Sequence, residues 1–354
     1  MSNVIDQHTL RPLVTGPSAW IGADLAKRPD EWTHRLSPTE IAEIETATAD
    51  LRGRDIAAIG QADFPLPTLG PVLARLRDEV LNGRGFVLIR GLPVENRPIA
   101  ESATAYWGIG TYFGSARSQN AMGHVLGHVR DLGLSSQDPN VRIYQTTERQ
   151  NFHTDSCDIV ALLCLRTAKS GGLSSLTSSM SVYNVMAQRH PDLVWRLFRP
   201  LPTDRRGEVP EGKRPWFETP IYNDHRGLLS AIYAPHYVRS SQRFPEAPRL
   251  SAGDITALDC FDALAEDATL RLDMEFQPGD MQFVHNHTVL HDRTAFEDWP
   301  EPERKRHLLR LWLAAPGARP LPPAYAERYG SVEIGNRGGI ICKNTKLHAP
   351  LEAV

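Results

Sequence analysis

Met281-Gln282-Phe283-Val284-His285 is a short apolar run that follows the turn Pro278-Gly279-Asp280 and continues into Asn286-His287-Thr288-Val289-Leu290-His291-Asp292-Arg293. A run of this length, entered through Pro-Gly, reads as a buried strand. The same texture extends back to Val141. Candidate strands cover residues 142–146, 159–166, 216–222, 228–233, 271–276, 281–285 and 306–314, with helices at 181–199 and 254–266 between them. Upstream, Gly85-Phe86-Val87-Leu88-Ile89-Arg90-Gly91 is another apolar run, bounded by glycines.

The front of the chain is helical. Ser37-Pro38-Thr39-Glu40 reads as a capping box with Pro at the first helical position, and Ile41, Ile44, Ala47 and Leu51 follow at helical spacing. Further helices are predicted over 68–81 and 99–113. Strands joined by turns, with helices gathered at the front, predict a mainly β protein with flanking helices and a double-stranded β-helix (jelly-roll, cupin-like) core. Residues 1–84 would be a helical lead-in packed on a core formed by 85–354, within a single structural domain. Residues 114–140 are rich in Gly, Ser, His and Asn and read as a loop, a candidate lid.

Composition narrows the function classes. The 354 residues carry 39 basic and 42 acidic side chains, a formal net charge of −3. The nearest approach to a basic block is Glu303-Arg304-Lys305-Arg306-His307, short and mixed in sign, so neither nucleic acid nor an anionic membrane is expected as a partner. The four cysteines form no Cys-x-x-Cys pair, which argues against zinc-ribbon and thioredoxin chemistry. There is no apolar stretch long enough to span a membrane and no signal-like run at the start, so a cytoplasmic protein is expected. A homo-oligomer is possible; nothing in the pattern locates an interface.

His153-Thr154-Asp155 offers an imidazole and a carboxylate two residues apart, which in a strand share one face. A third ligand has to come from a distant strand, and His285, His287 and His291 are the candidates. Two histidines and one carboxylate form the facial triad of non-haem Fe(II) oxygenases, which leaves adjacent positions open for a bidentate 2-oxo acid and O2. The distal carboxylate of such a cosubstrate needs a buried cation, for which Arg is best suited. In the alternating strand Arg306-His307-Leu308-Leu309-Arg310-Leu311-Trp312-Leu313, Arg306 and Arg310 share a face. That face is either solvated or the lining of a cavity.

Taken together, Asn151-Phe152-His153-Thr154-Asp155, Gly171-Gly172 before a Ser-rich stretch, Asn286-x4-His291-x-Arg293 and Arg306-x3-Arg310 resemble the taurine dioxygenase / 2,4-dichlorophenoxyacetate dioxygenase family, from about Gly85 to Pro316. The resemblance implies a jelly-roll fold and a dioxygenase using Fe(II), 2-oxoglutarate and O2. It makes His153, Asp155 and His291 the iron ligands. Arg306 would hold the distal carboxylate of 2-oxoglutarate, with Arg310 beside it or reaching the substrate. Ser174 stands where the family usually has Thr, and Asn286 and His287 support the ligands from behind. The implied reaction hydroxylates a C–H of a small polar, carboxylate- or amino-acid-like substrate and releases succinate and CO2. Desaturation or cyclisation of a small amino acid is the alternative outcome. An intact Asp155 argues against halogenation, which needs that position open.

Arg310, Tyr233, Arg239 and Asn151 are the substrate-binding candidates, along with Tyr237 and the segment 124–131; each can equally be an ordinary surface or core residue. Cys157 is read as a small apolar filler. A zinc hydrolase built on the same triad would leave Arg306 and Arg310 without a role, and a non-catalytic jelly-roll binder would not be expected to keep all three ligands.

Overall fold

The computed structural model describes residues 11–135 and 141–353. After a one-turn helix at Gly22–Leu25 come three longer ones: α1 (Pro38–Asp50), α2 (Leu69–Asn82) and α3 (Ile99–Thr111). The expected capping box is formed, with the Ser37 N–H donating to Glu40 Oε2 at 2.7 Å and the Glu40 N–H to Ser37 Oγ at 3.3 Å. Glu43 of α1 then caps α2 by accepting the Thr68 and Leu69 N–H groups.

Eight strands carry the core: β1 (Phe86–Arg90), β2 (Gln150–His153), β3 (Ile159–Arg166), β4 (Ser174–Ser178), β5 (Arg271–Met274), β6 (Met281–His285), β7 (Val289–Arg293) and β8 (His307–Ala314). The larger sheet runs Thr33–Arg35, β1, β6, β3, β8, Ser115–Ala116, with Gly127–Val129 also on β8. The smaller sheet runs β5, β4, β7, β2 and is antiparallel throughout. β6 and β7 lie in different sheets, so the chain crosses from one to the other at Asn286-His287-Thr288.

Strand periodicity explains the layers. Leu309, Leu311 and Leu313 of β8 pack with the helical layer, beside Ile44, Leu73 and Ile109. Leu308 and Trp312, on the opposite face, join Val160 and Val284 of the same sheet and Leu176, Leu272 and Val289 of the smaller one. Both faces of β8 are therefore covered, which removes the solvated-surface reading of Arg306 and Arg310; they are 4% and 7% exposed. A further cluster packs α4 (Ser179–Arg189) and α5 (Ala252–Ala265) on the outer side of the smaller sheet.

The molecule is thus mixed helix and sheet rather than mainly β, and several expectations are corrected in detail. Residues 142–146 are not a strand: Ile143–Gln145 is a 3-10 turn, closed by the Gln145 and Thr146 N–H groups. The span 216–222 splits at Pro220, which has no N–H for a ladder, into Trp216–Thr219 and the start of Tyr222–His225. Residues 114–135 are not wholly the irregular loop expected. They contribute two short strands to β8, and Gln119 and His124 are buried with partners, Gln119 on the Arg310 carbonyl and His124 on Asn120. Residues 136–140 of that candidate lid lie outside the described residues.

Candidate metal centre and its two cavities

β2 ends at His153, so Asp155 is not in a strand as expected but on the turn that follows. Long-range hydrogen bonds place it. The Thr154 N–H donates to the Tyr233 carbonyl at 2.7 Å, and the Asp155 N–H donates to Asn286 Oδ1 at 3.0 Å. His291 of β7 lies directly opposite His153 in register, with ring centroids 4.2 Å apart. Asp155 Oδ1 is 3.8 Å from His153 Nε2, and Oδ2 is 3.6 Å from His291 Nε2. One donor atom from each of the three residues lies within 4.8 Å of the other two.

The donor chemistry fits a divalent ion. His153 Nδ1–H donates to the Asn151 carbonyl at 2.8 Å, which makes Nε2 the acceptor; it takes the Gln150 amide N–H at 3.0 Å, the position a metal would claim. Burial, with His291 alongside, pushes His153 down to about 3, so it is neutral and competent to ligate. Burial alone would raise the Asp155 carboxyl; Arg310 and the two imidazoles outweigh it and hold the group well below the ordinary carboxylate range. The Trp312 indole N–H donates to Asp155 Oδ2 at 2.8 Å and fixes the carboxylate plane. Of the three C-terminal histidines only His291 reaches the site. His285 is held by Thr288, and His287 binds Asp158 at 2.8 Å.

On one side of the triad a narrow cavity runs between the sheets, lined by His153, His291, Ser174, Arg293, Arg306 and Arg310 among others. Among the described residues Arg306 Nη1 is buried without a partner, and its Nη2 reaches the Gly172 carbonyl at 3.5 Å. Burial pulls Arg306 down to about 10, so it stays charged at neutral pH. Gly172 makes this approach possible: its φ is +70°, and a Cβ there would sit 3.0 Å from Arg306 Nε. Arg293 is a second buried cation in the same cavity, drawn down to about 9 by burial and by Arg306. Ser174 pairs with Arg293 across β4 and β7 and donates its hydroxyl to Gln282.

The profile of the family described as taurine catabolism dioxygenase TauD, TfdA family matches residues 48–312. The chain belongs to this family. As a TauD/TfdA protein it is an Fe(II)- and 2-oxoglutarate-dependent oxygenase with O2 as oxidant, which supersedes the zinc-hydrolase and binding-protein readings. FR-33289 synthase from Streptomyces rubellomurinus (strain ATCC 31215) is 32% identical over 335 residues, covering 91% of this chain and 96% of the relative. Asparagine oxygenase, solved with Fe(II), 2S,3S-3-hydroxyasparagine and succinate, superposes with a TM-score of 0.63 at 16% identity, over 80% of this chain and 93% of its own. The non-heme iron oxygenase OrfP with Fe and alpha-ketoglutaric acid gives 0.57 at 15% identity, over 79% and 93%. Both structures share the fold.

A wider cavity of about 260 Å3 opens beside His153 and Asp155. His153, Gln150 and Arg310 line both cavities. Arg310 lies 3.8 Å from Asp155 Oδ2, is held by Gln119 Oε1 at 2.7 Å, and stacks over Tyr144. Asn151 lines the wider cavity as well. Tyr233 and Arg239 do not: the Tyr233 hydroxyl donates to Asp262, and Arg239 pairs with Asp259 and Asp262 at the surface of α5. The segment 124–131 does not line the wider cavity: His124 lies against His348 and Asp131 on Lys305, while Val129 lines the narrow one. The sequence reading missed Arg293, although the motif contained it, and missed Arg142, Arg206 and Arg328, which come from segments with no shared pattern.

No helix among the described residues is long and apolar enough to cross a membrane.

Proposed function

We propose that His153, Asp155 and His291 hold Fe(II), that the narrow cavity binds 2-oxoglutarate, and that the wider one binds a small acid whose C–H is hydroxylated. The observation that carries this is the position of the triad, with His153 in the wall of both cavities and the buried Arg293 and Arg306 in the wall of the narrower one. We read the two facing sheets as a double-stranded β-helix, which accounts for the crossing between β6 and β7. The lead-in helices and the sheets form a single structural domain in this reading.

When bound, the iron supplies the activation of O2 that couples decarboxylation of 2-oxoglutarate to oxidation of a substrate C–H. The protein's part is geometry, charge and exclusion of water. Arg306 and Arg293 give the distal carboxylate charge-assisted hydrogen bonds in a setting where Arg306 Nη1 and Arg293 Nε and Nη1 lack partners among the described residues. The Ser174 hydroxyl lies in the same wall and can reorient from Gln282 toward that carboxylate. Trp312 and Asn286 hold Asp155 in one orientation, and His287 secures the turn behind it through Asp158. Arg310 places a fixed positive charge between the two cavities, and Asn151 lines the wider one, where a polar substrate needs hydrogen-bonding groups.

The test is a panel of small acids incubated with the Fe(II)-loaded protein, 2-oxoglutarate and isotopically labelled O2. At least one acid should gain a single labelled oxygen atom in step with succinate release. Succinate formed at the same slow rate with every member, and no labelled product, would refute the reading.

A further inference from the structure

An unactivated C–H offers nothing to hydrogen-bond, so an enzyme that oxidises one has to place it by packing. The wider cavity has a wall suited to this. Val141, Ile143, Tyr144, Pro235, Trp312 and Ile340 give its lining an apolar stretch. Trp312 and Ile340 are 4% and 9% exposed and belong to one buried cluster, with Tyr144 packed against it. Trp312 also ties the wall to the metal centre, because its indole N–H is donated to Asp155 Oδ2 at 2.8 Å. The Arg310 guanidinium lies over both aromatic rings, 4.7 Å from the Tyr144 centroid and 5.3 Å from that of Trp312, and steadies them.

Ile340 comes to this wall from the C-terminal segment, beyond the residues 48–312 that the family profile matches. Its backbone is pinned on two sides. The Gly339 N–H donates to the Ser156 carbonyl at 2.7 Å, next to Asp155. The Ile340 N–H donates to the Ser118 carbonyl at 2.9 Å, next to the Gln119 that holds Arg310. Glycine is what permits the approach: Gly338 has a φ of +83°, and a Cβ there would sit 2.6 Å from the Ser156 carbonyl oxygen. The same segment grips the turn on which Asp155 stands, with the Tyr329 hydroxyl on the Asp155 carbonyl at 3.3 Å and Arg337 paired with Asp158 at 2.7 Å. Ile340 is therefore held in fixed relation to the metal ligands. We propose that the substrate carries a short hydrocarbon chain packed along Tyr144, Trp312 and Ile340, and that Ile340 determines specificity by stopping longer chains. This rests on the reading above that the substrate is a small acid and says what else that acid contains.

The experiment is an anaerobic calorimetric titration of the Fe(II)- and 2-oxoglutarate-loaded enzyme with the straight-chain acids from butyrate to octanoate. In the unmodified enzyme the affinity should rise about fourfold with each methylene, the gain from burying one, and then fall at the length that Ile340 stops. In Ile340→Ala the first acid rejected by the unmodified enzyme should gain at least about fourfold relative to butyrate. Ile340→Val, a milder truncation that buried sites tolerate better, should move the same ratio in the same direction by a smaller factor, so the test does not depend on the Ala variant folding. Each value is a ratio between two acids on one protein, so a loss of folded fraction cancels from it. An affinity independent of chain length, one still rising at octanoate, or the same length limit in the unmodified enzyme and in the folded variants would overturn the assignment. The visible absorption of the iron–2-oxoglutarate chelate in the same sample separates the two levels. With the band present and no acid bound, or no length preference, only the hydrocarbon wall falls. With the band absent, the oxygenase reading falls and takes this inference with it.

Discussion

Replacing Arg306 by Met should weaken 2-oxoglutarate binding and, in the absence of 2-oxoglutarate, make the protein more stable. The two effects share one cause. Arg306 is 4% exposed, its Nη1 has no partner, and its other contacts are a marginal bond to Gly172 and the ring of Phe296. The ligand-free fold therefore carries a buried charge with no ion-pair partner among the described residues, Asp298 acting on it only at longer range. Replacing such a charge by an apolar side chain of similar length is commonly stabilising by about 1–4 kcal/mol. For a chain of this size each 1 kcal/mol moves the melting midpoint by roughly 1.4 °C, so a rise of about 1–6 °C is expected. Binding should move the other way. Hydrogen bonds to a charged group contribute about 1.5–3 kcal/mol each, and Arg293 remains in the cavity to hold part of the carboxylate. The dissociation constant should therefore rise by a factor of about 10 to 200. The assay is an anaerobic titration followed through the visible band of the chelate, paired with thermal melts without 2-oxoglutarate. An unchanged dissociation constant would refute the assignment of Arg306 to the cosubstrate, and a lowered midpoint would refute the claim that its charge is unsatisfied.

Trp312→Phe removes the indole N–H on Asp155 while keeping most of the packing, and should raise the dissociation constant for Fe(II) by roughly tenfold, read by equilibrium dialysis. Gly172→Ala forces a Cβ to within 3.0 Å of Arg306 Nε at a left-handed φ. It should raise the half-saturating 2-oxoglutarate concentration about fivefold, equivalent to about 1 kcal/mol, in steady-state succinate assays. His307 is buried against His128 at 2.8 Å, and burial followed by His128 pushes it down to about 3. Because an unfolded His titrates near 6.5, the unfolded chain binds the extra proton first, and stability present above about pH 6.5 is lost as the pH falls toward 3. Urea midpoints taken from pH 7 to pH 5 should show His307→Gln losing about 2 kcal/mol less than wild type over that interval.

Local pattern carried the reading where local chemistry determines structure. The Ser37–Glu40 box, the alternation of β8 and the turn before β6 are all decided within a few residues. Asp155 was found by its type and its distance from His153, but for the wrong geometric reason. Its place is set by Asn286, 131 residues away, a contact that strand periodicity cannot report. The same limit explains residues 114–135, whose polar composition suggested a mobile loop; Gln119 is polar because it bridges the Arg310 carbonyl and side chain inside the core. Tyr233 and Arg239 were drawn in by residue type alone, whereas their partners on α5 become neighbours only in the folded chain. Conversely, Arg142, Arg206 and Arg328 meet around Tyr237 from segments spread over nearly two hundred positions, so no window of sequence contains the cluster.

The central claim is that His153, Asp155 and His291 hold one Fe(II) that 2-oxoglutarate then chelates. The most direct measurement is an anaerobic titration of the purified protein with Fe(II) followed by 2-oxoglutarate, monitored through the visible band and repeated in His153→Ala and His291→Ala. The account predicts a band that saturates at one equivalent of each in wild type and is absent from both folded variants. A band of full intensity in either variant, or none in folded wild type with iron bound, would contradict it.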